Sequence, residues 1–169
     1  MQNTESDLLQ EVYQDVDFAV LIQIAGRMIA QHVELIGKET GLSAGHLSVL
    51  GMILRKPGLV QNAYGTILAI NDATLGRYVD KLEDHGLVQR ARCDGDRRTV
   101  RLTLTQAGQD YIRTVKSRLT QVRAEVTGGL QADDISLLHE KLVVFLSAQG
   151  RDQQDPETSV FYFRTNHLK

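Results

Sequence analysis

Two clusters of side chains in the middle of the chain have the types and spacing to meet a nucleic acid. The first is Ala73, Thr74, Arg77, Tyr78 and Lys81. On a helix, Ala73, Arg77 and Lys81 follow one another at single turns along one side. Alanine and threonine can touch a thymine methyl, and a guanidinium can bond both acceptors on the guanine edge. An ammonium one turn further on suits a phosphate. The second cluster is Asp94-Gly95-Asp96-Arg97-Arg98, turn chemistry carrying two arginines. A narrow minor groove has enhanced negative potential and attracts arginine. Arg90 and Arg92, two residues apart, would share one face of a strand, as phosphate contacts or as simple surface charge.

These side chains need elements to hold them. Leu75, Val79 and Leu82 form the apolar stripe of a short helix, so Ala73, Thr74 and Arg77 face outward near its start. Tyr78 lies between the two sides and fits either a base or phosphate contact or the core. Asn71 or Asp72 can cap that helix, and Gly86 suits its end. A shorter helix, Gln61 to Ala69, precedes it across the Ile70-Asn71-Asp72 turn. The period then changes to two. Leu87–Cys93 and Thr99–Leu104 read as strands, with Val100, Leu102 and Leu104 alternating against Thr99, Arg101 and Thr103. Two short helices followed by a hairpin spell a winged helix-turn-helix. Its second helix fits the major groove, its first braces the backbone, and the hairpin tip reaches an adjacent minor groove.

Longer helices flank this unit. One is predicted from about Asp7 to Ile36, with Phe18, Leu21, Ile22, Ala25, Ile29, His32 and Ile36 on one face. Ser43 is a plausible cap for the next, which carries Leu47, Leu50 and Leu54 and ends at Pro57-Gly58. Thr105 can open a long helix to about Thr127, Gly128-Gly129 breaks it, and Ala132–Ala148 forms the last. The expected fold is mainly α with a small β wing (α+β). Its parts are an N-terminal dimerisation helix (1–40), the winged helix-turn-helix domain (41–104), C-terminal dimerisation helices (105–150) and a tail (151–169) with the aromatic cluster Phe161-Tyr162-Phe163. The flanking helices are apolar over faces that a lone winged domain could not cover, which predicts an interleaved two-fold homodimer.

Charge agrees in its distribution, not its total. The 169 residues carry a formal net charge of −2, but residues 55–101 hold nine Lys/Arg against six Asp/Glu while residues 1–54 hold two against seven. Local charge sets the field that a phosphate backbone meets. The one cysteine, Cys93, excludes an intrachain disulfide and a Cys-rich zinc site. Structural filler is its default reading; Arg92, which would favour a thiolate, alternates to the opposite face. No stretch approaches the roughly 20 apolar residues of a membrane span. The N-terminus is polar and acidic and does not read as a signal peptide. A cytoplasmic protein is expected, without a membrane partner. A Gly-rich phosphate loop, a nucleophile elbow and a tight metal-ligand cluster are all missing, so no enzyme, cofactor or metal is expected. A winged-helix protein-interaction module is the alternative reading; the basic central segment speaks against it.

The order Leu82-Glu83-Asp84-His85-Gly86-Leu87-Val88, then Asp96-Arg97-Arg98, then Leu102-Thr103-Leu104-Thr105 and Gly108 resembles the MarR (multiple antibiotic resistance regulator) family, over about residues 10–148. Leu42-Ser43 with Leu47 and Leu50 is similar to the family's second-helix opening. The resemblance implies a DNA-binding transcription regulator, a repressor on a near-palindromic operator. Thr74, Arg77 and Tyr78 would read bases, Arg98 would enter the minor groove, Asp96 would orient it, and Arg97 would serve a phosphate. The resemblance also implies a small-molecule effector, often a phenolic or aromatic acid, between dimerisation helices and winged domain. Arg27, His32 and His46 are the candidates to line that pocket; a core role is the plainer reading of the two histidines. Tyr64-Gly65 departs from the family's usual Leu-Ala, which predicts a less regular first short helix and leaves Asn62 a doubtful contact.

Overall fold

A computed structural model describes residues 5–93 and 96–149, without the side chains of residues 6, 39, 92–99 and 149. The aromatic cluster at 161–163 and the rest of the tail lie outside the described residues. The elements are α1 (Glu5–Gln14), α2 (Phe18–Gly37), a 3₁₀ turn (Lys38–Thr40), α3 (Ala44–Arg55), α4 (Gln61–Leu68), α5 (Asp72–Asp84), β1 (Val88–Cys93), β2 (Asp96–Leu104), α6 (Gln106–Thr127) and α7 (Ala132–Gln149). This is the expected α+β class with a small antiparallel wing.

The single N-terminal helix expected from periodicity is two helices. Asp17 interrupts it: its backbone is extended and its carboxylate accepts a bond from the Ala19 N–H at 2.8 Å, which starts α2 afresh. α2 also corrects the expectation that no segment could span a bilayer. It is 20 residues long with a mean hydropathy of 1.3 in its most apolar stretch, long and apolar enough by those two measures. Arg27 near its middle and Glu34 further along would be costly in hydrocarbon.

The winged domain is held by side chains that the sequence pattern pointed inward. Leu75, Val79 and Leu82 of α5 are fully buried against Val49, Leu50 and Ile53 of α3, Tyr64 of α4 and Leu102 of β2. Each such side chain contributes about 1.5–3 kcal/mol of transfer free energy. α4 is regular through Tyr64-Gly65, contrary to expectation, because the tyrosine is a core residue. Its phenol donates to the Lys56 carbonyl and accepts from the Leu59 N–H, and burial raises its pKa, so it stays a neutral hydroxyl. Asn62 is exposed on the same helix.

Gly86, at φ +66°, makes the left-handed turn out of α5 that a side chain would resist. β1 then pairs antiparallel with β2, Val88 opposite Leu104 and Arg90 opposite Leu102, with a register shift after Arg92. Gly58 donates to the Leu102 carbonyl and Leu102 to that of Leu59, fastening the α3–α4 loop to the wing's base. Thr105 caps α6 as expected, accepting from the Gly108 N–H at 3.0 Å. At Gly108 a Cβ would lie 2.0 Å from the Leu87 carbonyl oxygen, so only glycine lets α6 start this close to the wing. The chain divides into two compact units, Met1–Val122 and Arg123–Lys169, and α7 belongs to the second.

Candidate nucleic-acid interface

α5 is fixed in place at three points. At its start the Asn71 side chain accepts from the Thr74 N–H at 2.8 Å, the capping predicted from sequence. Along its inner side the three buried residues lock its rotation. On its flank Arg90 of β1 reaches Asp80 and Glu83, each at 2.6 Å, and donates through Nε to Gln61 of α4 at 3.1 Å. One guanidinium therefore joins α4, α5 and the wing. Burial works against the charge of Arg90, but the two carboxylates outweigh it and its pKa is raised. Its hydrogen bonds to Asp80, Glu83 and Gln61 all stay within the domain, so it braces α4, α5 and the wing at a position where the sequence allowed a phosphate contact or surface charge.

With rotation fixed, Ala73, Arg77 and Lys81 are exposed, and Thr74 is partly so. Arg77 donates to the Thr74 hydroxyl at 3.2 Å, which draws its side chain back along the outer side of α5. Tyr78 turns the other way. Its ring packs on His46, centroids 4.7 Å apart, and fills the space where a Cβ on Gly45 would stand 2.5 Å from the ring. Of the two readings open for Tyr78, packing between α5 and α3 is the one its surroundings fit. Arg92, Asp96, Arg97 and Arg98 fall on the two strands where they meet residues 94–95. Their side chains, and that of Cys93, lie outside the described ones.

The three candidate effector residues are not brought together. Arg27 lines a groove of about 770 Å³ with Ala30, Gln31, Glu34, Leu35, Lys38 and Ser43. His32 is outside that lining, its Nδ1 2.8 Å from the Met28 carbonyl oxygen. His46 is buried and closes a capping box. Its Nδ1 accepts from the Ser43 N–H at 2.9 Å, while the His46 N–H points back to the Ser43 hydroxyl. Its pKa is lowered, first by burial, then by Lys81 and His85, with Glu34 acting in the opposite sense. Among the described residues no group of three metal-ligating side chains comes together.

Sequence reasoning missed Glu34 and Lys38 in the groove, and Asp80 and Glu83 as partners of Arg90. Glu34 also accepts from the Ala44 N–H at 2.9 Å, so α2 helps cap α3. A carboxylate ten residues before a helix start gives no local signal. Asp80 and Glu83 did carry one, being three apart on one helix side, but only the strand register shows which arginine they meet.

Comparison with known proteins places this geometry. A model of the MarR family matches residues 40–99, from the turn before α3 into the wing. Solved structures share the wider fold. A mutant of MarR from E. coli complexed with operator DNA is 21% identical, with a TM-score of 0.68 over 79% of this chain and 96% of that one. The MepR–DNA complex from S. aureus is 18% identical, with 0.67 over 79% and 99%. CouR from Rhodococcus jostii bound to p-coumaroyl-CoA is 21% identical, with 0.69 over 77% and 91%.

Proposed function

We propose that this protein, whose residues 40–99 match a model of the MarR family, is a cytoplasmic, homodimeric, sequence-specific DNA-binding transcription regulator, a repressor released by a small anionic effector, with no enzymatic step. The observation that carries this reading is the locked rotation of α5. Three buried residues and the Arg90 brace leave Ala73, Thr74 and Arg77 outward at its start, beside a hairpin bearing Arg97 and Arg98. Two proteins of the same fold have been seen on DNA.

In this reading α5 lies in the major groove and Arg77 takes a guanine edge through two N–H groups. Lys81 meets a phosphate. Arg98 enters the minor groove, oriented by Asp96, while Arg97 meets a phosphate. Arg90 sets the angle between α5 and the wing, so that both grooves are reached together. Two copies, joined through the flanking helices, read half-sites about 10 bp apart. Titration of duplexes selected from a random library, at several salt concentrations, tests the reading. Affinity should fall steeply with salt, as expected when several phosphates are neutralised. A protein that enriches no duplex and shows no salt-dependent binding would be the interaction module instead.

The effector reading rests on the groove between α2 and the start of α3. Arg27 and Lys38 offer cationic groups, and Ala30, Leu35 and Leu42 offer apolar wall, which suits an aromatic or phenolic acid. CouR, of the same fold, has been seen with p-coumaroyl-CoA. A thermal-shift screen of aromatic acids tests it, because a ligand of the native state raises its apparent stability. Arg27→Ala should abolish the shift. If Arg27→Ala leaves the dose response unchanged, the effector sits elsewhere.

A further inference from the structure

Gly76 stands in the middle of α5, where glycine is a poor choice. Inside a helix it is less favourable than alanine because it loses more backbone freedom on folding. Of the other helical glycines, Gly26 on α2 has open space and Gly51 on α3 meets only the end of the flexible Arg55 side chain at 3.2 Å. Gly45 and Gly65, packed against α5 or the turn before it, answer to their neighbours. A Cβ would meet the Tyr78 ring at 2.5 Å from Gly45 and the Ile70 carbonyl oxygen at 3.0 Å from Gly65. At Gly76 a Cβ would meet nothing within 4 Å. Its backbone is not left-handed either; among the described residues the positive-φ glycines are Gly41, Gly58 and Gly86. Among the described residues, neither packing nor conformation calls for glycine at this position.

The position does have a distinctive address. Gly76 is partly exposed, directly before Arg77 and three residues after the exposed Ala73. Its missing side chain leaves a notch beside the two residues best placed to touch bases. What separates glycine from alanine there is one methyl group. In the major groove the apolar group that projects from a base edge is also one methyl, that of thymine.

We infer that Gly76 is a specificity-determining residue: its missing side chain admits a thymine methyl against the α5 backbone, next to the base read by Arg77. The inference rests on the DNA-binding reading above. It separates from that reading because Gly76→Ala should move stability and binding in opposite directions. The variant should melt about 2–4 °C higher than wild type, since alanine is the better helix former. On a duplex selected by the wild-type protein from a random library, it should bind about tenfold more weakly, with little change on random-sequence duplex.

Replacing thymines by uracil one at a time deletes single methyl groups from that duplex. At one position uracil should weaken wild-type binding about fourfold, as expected for one methyl removed from an apolar contact. At that same position it should erase most of the Gly76→Ala penalty. If wild type enriches a duplex and Gly76→Ala binds it equally well, the inference is wrong and the DNA reading stands. A Gly76→Ala penalty that no uracil relieves also overturns the thymine contact. Should wild type enrich nothing, the DNA reading falls and this inference with it.

Discussion

The winged core and the flanking helices of this chain solve the same problem to different degrees. In the core, Val49, Ile53, Tyr64, Leu75, Val79, Leu82 and Leu102 are completely hidden by their own chain. On α2, Leu35 is 63% exposed, and on α7 Val144 and Leu146 are 60% and 59% exposed. The first region is finished by intrachain contacts. The second has helices whose apolar length is greater than the described residues of one chain cover. Large uncovered apolar patches mark interaction surfaces. In the function proposed above, the difference separates what would specify the DNA-reading domain from what would hold two copies together.

The strongest test of that contrast is truncation on each side of it. Leu82→Ala should lower unfolding free energy by about 2–5 kcal/mol, measured by denaturant titration, because a fully buried leucine leaves a cavity behind. Replacing Val144 and Leu146 together by aspartate should leave far-ultraviolet circular dichroism and wing folding intact. Light scattering should instead show mass falling from twice 18.8 kDa towards one copy at micromolar concentration. A wild-type protein that is already monomeric there would break the comparison, since the exposed faces would then need another partner.

A middle-sized effect sharpens the reading head itself. Arg77→Ala should weaken binding to a selected duplex by about 1–3 kcal/mol and flatten preference at one base pair. Arg98→Ala should weaken binding to every sequence and reduce the salt slope by about one counterion. Lys81→Ala should lower affinity without changing sequence preference. Salt-series titrations against single-base variants distinguish the three. Wild-type affinity and slope for Arg98→Ala would remove the wing from the interface.

What could be read in advance follows the same division. Ser43, Asn71 and Thr105 cap helices through bonds to N–H groups three residues on, so local sequence contained the whole interaction. The α5 stripe was legible for a similar reason: the period of Leu75, Val79 and Leu82 is the period of the helix. The break at Asp17 was hidden because apolar residues continue on both sides of it and mask the cap. The Arg90 brace and the Glu34 cap were hidden for a different reason. Their partners lie on other elements, and which carboxylate meets which donor is set by tertiary register. Tyr64 read as an irregularity and is instead a core residue, because its hydroxyl has two backbone partners that only the folded loop supplies.

The smallest expected effect lies where the two regions meet. His46 is held between them: Ser43 beside it lines the α2 groove, and Tyr78 against it belongs to α5. Its Nδ1 accepts the Ser43 N–H, so the ring must keep that nitrogen unprotonated. Burial, with Lys81 and His85 nearby, lowers its pKa in the folded state despite Glu34. The unfolded chain therefore takes up the proton first, at about pH 6.5. Stability contributed by neutral His46 is complete above that pH and is lost as pH falls towards the folded value. His46→Gln keeps a side chain suited to the capping box but cannot titrate. Between pH 7.5 and pH 5.5 the wild type should therefore lose more stability than His46→Gln, read as the change in Tm of each. Parallel curves would mean that the folded protein accepts the proton as readily as the unfolded chain. The Ser43–His46 bond would then not be what ties the start of α3 to Tyr78.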